Sequence, residues 1–369
     1  MSPNADSQQT AVQQTDGRFR LGQTADFFTD SGEPRYRDMG SGLAADYAGI
    51  ALSRFARHEP IIQAEQLRGL NGVVVLTPRV TAESLKLADE LLVVARFGVG
   101  YDGVDVAACT ARDVALTITV GAVDRPVAEA TVGWMLALTH HIKAKDRLVR
   151  EARWNDRSQY MGCELRDRTL GIVGFGGIGR KVIELLRGFG MKPPLVFDPY
   201  VEPRVVEECG AKPVSLKELM AGADFVSLHC PLTETTRGLI GAGELALMKP
   251  TAYLINTARG GIVDEAALYD ALAAKRIAGA ALDCFDNEPL TAAPRFAEFE
   301  NVLLAPHAIA WTDELFRDIG RTAFGGVIDL IEGRRPRGVV NPEVFERPAF
   351  QVKWHRLQRA HGDRLDAQR

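Results

Sequence analysis

The run Gly174-Phe175-Gly176-Gly177-Ile178-Gly179 lies near the middle of the chain, and its surroundings constrain the fold more than any other feature. Ahead of it, Thr169-Leu170-Gly171-Ile172-Val173 reads as a short buried strand. Behind it, Val182, Ile183, Leu185, Leu186 and Phe189 recur at helical spacing until Gly188 and Gly190 end the helix. Leu195-Val196-Phe197 is a second apolar strand, and Asp198 closes it. A strand, a glycine turn, a helix, a strand and an acid in this order make a βαβ mononucleotide unit. Gly174 would form the tight turn, Gly176 would let the backbone approach a pyrophosphate, and Gly179 would let the helix pack on the strand. Gly177 and Ile178 open the helix, whose N-terminus offers N–H groups and a partial positive charge to phosphates. Asp198 would accept hydrogen bonds from ribose hydroxyls and repel a 2′-phosphate. The expected cofactor is therefore NAD rather than NADP.

At 369 residues the chain exceeds one typical core, so two domains are expected. Its 46% hydrophobic and 25% charged residues are ordinary for a globular protein. A net charge of −4 gives no reason to expect nucleic acid or an anionic membrane as partner. The five cysteines (Cys109, Cys163, Cys209, Cys230 and Cys284) form no C-x-x-C pair. They read as reduced thiols in a cytoplasm, and no metal is expected. Residues 1–20, rich in Gln, Thr and Ser, read as a disordered leader without the apolar core of a signal peptide.

The position of the glycine run organises the rest. Before it, Gly72 to Leu76, Leu91 to Ala95 and Ala115 to Ile118 read as strands, and Thr81 to Ser84 as the start of a helix. A long helix opened by Pro126 is expected from Val127 to about Arg153, with an apolar first half that must be buried in a domain joint or a subunit contact. After the run, Ala223 to Leu228, Ala252 to Asn256, Gly279 to Asp283 and Asn301 to Leu304 complete six strands of a doubly wound parallel sheet. The expected α/β architecture has two Rossmann-like domains. An NAD-binding domain over residues 122–305 is inserted into a smaller, discontinuous, flavodoxin-like substrate-binding domain formed by residues 1–121 and 306–369. Two crossings would make a hinge, with the ligand in a cleft.

Three residues after successive strands carry the expected chemistry. Arg259, in Asn256-Thr257-Ala258-Arg259-Gly260-Gly261, can bind a carboxylate bidentately and an adjacent carbonyl oxygen. His307 follows the last strand directly, and Glu288 follows the strand before it. A carboxylate against an imidazole fixes its tautomer and favours its protonated form, which suits acid–base catalysis.

Over roughly residues 70 to 345 the chain resembles the D-isomer-specific 2-hydroxyacid dehydrogenase family. The matching stretches are Arg96 to Asp105, the glycine run, His229-Cys230-Pro231-Leu232-Thr233, Asn256 to Gly260, Asp283 to Pro289, and Pro306-His307. The resemblance implies that Arg259 binds the substrate carboxylate and 2-keto oxygen, that His307 is the general acid–base, and that Glu288 supports it. It also implies that backbone groups around Val99 and Gly100 touch substrate, that Asp283 lies near the nicotinamide carboxamide, and that Pro231 borders the adenosine pocket. Thr257 joins the expected cofactor contacts. A homodimer through the cofactor domain is implied as well.

The remaining residues read more simply. His229 is expected to shape the cofactor loop, and Cys230 and Cys284 to pack. Trp311 reads equally as a pocket wall or a packed side chain. Phosphoglycerate-type members often carry Arg after the second strand of the substrate domain. Here Val75 stands at that position, which weighs against a phosphorylated substrate, although Arg79 could substitute. The basic tail from Phe350 reads as a terminal helix packed on its own or a partner subunit. The leading function is hydride transfer between NAD(H) and C2 of a small D-2-hydroxy acid. An NAD(H)-sensing, corepressor-like binding protein and a phosphoglycerate-type dehydrogenase are the alternatives.

Overall fold

The structure, a computed structural model, describes residues 17–367 and divides the chain into two compact units. One holds the residues up to Thr119 together with those from Arg317 onward, and the other holds Val120–Phe316. Both are α/β with all-parallel sheets.

The first unit carries five strands: β1 (Phe19–Gln23), β2 (Ile50–Arg54), β3 (Gly72–Val75), β4 (Val93–Arg96) and β5 (Ala115–Thr117). They lie in the order β2-β1-β3-β4-β5. Val73, Val74, Val75, Val93, Val94 and Ala95 are fully buried. Such unbroken apolar runs are what a strand covered on both faces requires. The expected leader lies outside the described residues for 1–16, but Phe19 and Arg20 belong to β1, which corrects its end. Thr81 to Ser84 starts no helix. Thr81 N–H donates to Ser84 Oγ at 3.1 Å and Ser84 N–H to Thr81 Oγ1 at 3.4 Å, so the side chains replace helical acceptors and the chain turns. The helix Pro348–Ala367 packs within this unit. Phe350 is buried, Trp354 Nε1 donates to Leu330 O at 2.6 Å, and Lys353 is buried with its Nζ on Leu91 O. The basic tail therefore spends one of its cations inside.

The second unit has a seven-stranded sheet: β6 (Leu170–Val173), β7 (Leu195–Phe197), β8 (Lys212–Pro213), β9 (Phe225–Leu228), β10 (Tyr253–Asn256), β11 (Gly279–Leu282) and β12 (Val302–Leu304). Their order is β12-β11-β10-β9-β6-β7-β8. Alternate residues feed separate cores on the two faces. Phe225, Tyr253, Ile255 and Ala281 pack with the helix Asp124–Thr139, whereas Val226, Leu228, Leu254 and Ala280 pack with Leu219, Leu245 and Leu268. The strand order reverses between β6 and β9, and ligands of doubly wound sheets gather at the carboxyl ends of such a pair.

The long helix expected from Val127 to Arg153 is two helices. Asp124–Thr139 ends at His140, His141 takes φ +52°, and Ile142–Arg150 follows. Ala128, Trp134, Met135 and Leu138 are buried inside this unit's own core, so neither a domain joint nor a subunit contact is needed to cover them. The second crossing lies past Phe316 rather than at 305/306. Ala308 and Ile309 explain why: both donate their N–H groups to the Asp283 carboxylate, at 2.9 and 3.1 Å, and hold this stretch to the second unit.

Candidate active site

The turn after β6 requires glycine at its first position. Gly174 has φ +93°, and a Cβ there would stand 2.6 Å from Cys230 N and 2.7 Å from His229 C at the end of β9. A Cβ on Gly179 would stand 2.6 Å from Gly174 O and 3.0 Å from Ile172 Cγ2, so the helix Gly177–Leu185 presses directly on β6. A Cβ on Gly176 would meet nothing within 4 Å. Its backbone faces open space at the start of that helix, where the first N–H groups precede any intrahelical acceptor. Gly177 is limited from the other side: its Cβ would collide with the Asp124 carboxylate at 2.0 Å. Burial pushes the Asp124 carboxyl up, with Lys181 opposing. The sequence offered no sign of this acid, which lies far from the glycine run.

Asp198 follows β7, and its two oxygens accept from Phe175 N at 2.7 Å and Tyr200 N at 2.9 Å. The acid therefore braces the glycine turn as well as bordering an open groove of about 520 Å³ lined by Phe197, Asp198, Pro199, Val201, Pro213 and Val214. Pro231 follows β9, where its carbonyl accepts from Thr236 Oγ1 at 2.6 Å. Thr257 follows β10, with its hydroxyl 3.4 Å from that of Thr131. A crowded turn, an open backbone edge and a groove ending on a carboxylate fit a dinucleotide along β6 and β7.

The second group hangs on β10, β11 and β12. Asn256 ends β10 buried, and its side chain makes a local turn: Nδ2 donates to Arg259 O at 2.8 Å while Oδ1 accepts from Ala258 N at 3.0 Å. That turn sets the start of Arg259, whose Nη1 also donates to Ala258 O at 2.7 Å. Gly260 then touches the next loop so closely that a Cβ would stand 1.9 Å from Phe285 O. Phe285 in turn donates its N–H to Glu288 Oε1 at 2.8 Å. The other oxygen, Oε2, lies 2.7 Å from His307 Nδ1. Burial alone would raise the Glu288 carboxyl, but the His307 bond and charge, the Phe285 N–H and the Arg259 guanidinium hold it below the usual range.

His307 sits after β12 with φ +54°, in the left-handed region where a non-glycine residue is held by its surroundings. Its backbone N–H donates to Asp283 O at 2.8 Å. The Asp283 carboxylate accepts two backbone amides of the His307 loop through Oδ1. Burial raises its carboxyl, opposed by the Ile309 and Ala308 amides. The turn made by the Asn256 side chain, the close contact at Gly260 and this anchoring role of Asp283 were absent from the sequence reading. Only an Asn closing a strand, a turn-forming type, hinted at the first.

Val99 and Gly100 belong to the first unit, in the loop after β4. Val75, at the end of β3, is fully buried, while Arg79 is exposed. His229 places Nε2 2.9 Å from Ser227 Oγ, and burial pushes its imidazole down to about 3. A neutral, enclosed ring suits the loop-shaping role. Burial pushes the Cys230 thiol up to about 11, as a packed thiol requires. Trp311 is half exposed and meets Phe316 edge-on at 5.1 Å. No helix among the described residues is long and apolar enough to cross a membrane.

Comparison with known proteins places this geometry. Residues 132–308 match the model of the D-isomer specific 2-hydroxyacid dehydrogenase NAD binding domain. A glyoxylate reductase of Korarchaeum cryptofilum is 38% identical over 293 residues, which is 78% of this chain and 88% of that protein. A D-3-phosphoglycerate dehydrogenase of Archaeoglobus fulgidus is 36% identical over 279 residues, 76% of this chain, and the match spans only 53% of that longer protein. The D-lactate dehydrogenase of Aquifex aeolicus, solved with NAD and lactic acid, superposes with a TM-score of 0.73 at 26% identity, covering 85% of this chain and 96% of its own. With β6 to β12, the glycine turn and a relative matched over most of its length, the chain belongs to the D-isomer-specific 2-hydroxyacid dehydrogenase family and is an NAD-dependent enzyme of that family.

Proposed function

We propose that the enzyme interconverts a small, unphosphorylated 2-oxo acid and its D-2-hydroxy acid, with His307 as the proton carrier. The observation that carries this reading is the 2.7 Å contact between His307 Nδ1 and Glu288 Oε2. With Nδ1 committed to a carboxylate, Nε2 is the nitrogen that exchanges a proton with the substrate oxygen. Glu288 orients the ring and balances the charge of the imidazolium. Arg259 clamps the substrate carboxylate and polarises the keto oxygen, since its planar fork matches both acceptors. NADH, when bound, supplies the hydride to C2. Reduction consumes the imidazolium proton and oxidation needs the neutral ring, so lower pH favours the first direction and higher pH the second.

The buried Val75 supports an unphosphorylated substrate, because no cation stands at the position where phosphoglycerate-type members carry one. Similarity to the Archaeoglobus protein favours the phosphoglycerate reading instead. A homodimer through the second unit is also proposed, on the exposed apolar side chains Ile142, Val149, Trp154 and Met161 that follow the buried helix. The deciding experiment follows NADH oxidation with glyoxylate, hydroxypyruvate, pyruvate, bulkier 2-oxo acids and phosphohydroxypyruvate. Turnover of a small unphosphorylated acid is expected. Preference for phosphohydroxypyruvate would select the phosphoglycerate reading, and no turnover of any would select NAD(H) sensing.

A further inference from the structure

Cys284, Glu288 and His307 each bring one ligand atom into a cluster in which all lie within 4.8 Å of one another. The three hang on one backbone frame. Cys284 directly follows Asp283, whose carbonyl accepts the His307 N–H, and Phe285, the next residue, holds Glu288 Oε1. Glu288 Oε2 and His307 Nδ1 already touch at 2.7 Å, and the Cys284 thiol stands within 4.8 Å of a ligand atom of each residue. The Cys284 side chain is buried, with its thiol donating to Ala258 O at 3.4 Å, a hydrogen bond that gives way when the thiolate forms. Glu288 and His307 remain 33% and 42% exposed, which leaves an entry path from solvent.

We propose that these residues form a site for a soft divalent cation such as Zn²⁺, with three protein ligands and a fourth position open. Thiolate, imidazole and carboxylate together suit Zn²⁺ and disfavour Mg²⁺ or Ca²⁺, which prefer all-oxygen shells. Binding releases the thiol proton and any proton shared between Nδ1 and Oε2, and no redox change occurs. In tetrahedral geometry the His nitrogen and Glu oxygen stand about 3.3 Å apart, so the 2.7 Å pair opens by only about 0.6 Å. Occupancy breaks the Glu288–His307 contact and removes the imidazole from proton transfer. The inhibitory half of this inference rests on the acid–base role of His307; the cation site does not.

The test uses chelator-treated whole enzyme titrated with Co²⁺ and then Zn²⁺. A thiolate-to-cobalt absorption band is expected in the near ultraviolet, lost on adding Zn²⁺ and absent in Cys284→Ala and Cys284→Val. Zn²⁺ should inhibit turnover, and both substitutions should raise the half-inhibiting concentration by about tenfold or more while leaving chelator-treated turnover within about twofold. Circular dichroism checks that each variant is folded. No band in the wild-type enzyme, or equal inhibition in all three, overturns the cation site and leaves the catalytic assignment standing. A full band with undiminished turnover overturns the inhibitory half and, with it, the role of His307.

Discussion

His307 donates its backbone N–H to the carbonyl of Asp283 at 2.8 Å, so the residue directly after one strand positions the imidazole that follows the next strand. The Asp283 carboxylate reinforces this by taking the amides of Ala308 and Ile309. Asp283→Ala would leave those two amides without their acceptor, at about 1–3 kcal/mol each if no water replaces it. The expected result is a lower melting temperature and a turnover loss of about tenfold or more, measured by thermal unfolding and steady-state kinetics. Wild-type turnover in a folded variant would show that the anchor does not position His307.

Gly260 is where the Arg259 and Glu288 loops meet, with space for a hydrogen only. Gly260→Ala must push Phe285 O away from its 1.9 Å clash, and Phe285 carries the amide that holds Glu288. Loss of turnover by about 100-fold is expected, with NADH affinity nearly kept, because a shift near 1 Å in a catalytic group has that order of effect. Fluorescence titration of NADH beside kinetics separates the two, and full activity would contradict the contact.

Much of this was legible in the chain, for identifiable reasons. Strands β6, β9, β10 and β11 are buried on both faces, so they read as nearly continuous apolar runs, and Gly174 and Gly179 stand where crowding demands them. Three strands, β1 and the edge strands β2 and β8, were not legible. β2 ends in Ser53 and Arg54, β8 is only Lys212–Pro213, and β1 carries Arg20 and Gln23, so none presents an unbroken apolar pattern. The break at His141 has no Pro or Gly to mark it, because a histidine supplies the left-handed residue. Side-chain roles across loops, such as Asp283 on Ala308, follow from strand neighbours and leave no local signal.

Asp198 combines a structural and a selective role. Asp198→Asn keeps an oxygen for Phe175 or Tyr200 but removes the charge that would face a 2′-phosphate. The ratio of kcat/KM for NAD over NADP is expected to fall by about tenfold, or 1.4 kcal/mol. An unchanged ratio would place discrimination elsewhere in the groove.

His229 sets an acid limit on the fold. Its ordinary value is 6.5, and burial holds it near about 3, so the folded chain keeps the ring neutral while the unfolded chain protonates it. Stability from this group is fully present above pH 6.5 and declines as pH falls toward 3, by up to about 1.4 kcal/mol per pH unit. His229→Gln is expected to lower the melting temperature at neutral pH yet flatten its fall in acid. Parallel wild-type and variant profiles would contradict a buried neutral ring.

The central assignment is that His307 transfers the proton, and His307→Gln tests it most directly. Turnover of the preferred 2-oxo acid with NADH should fall by about 10²- to 10⁴-fold, the usual contribution of a positioned acid–base group, while the Kd for NADH stays unchanged. Wild-type turnover in that variant would contradict the account.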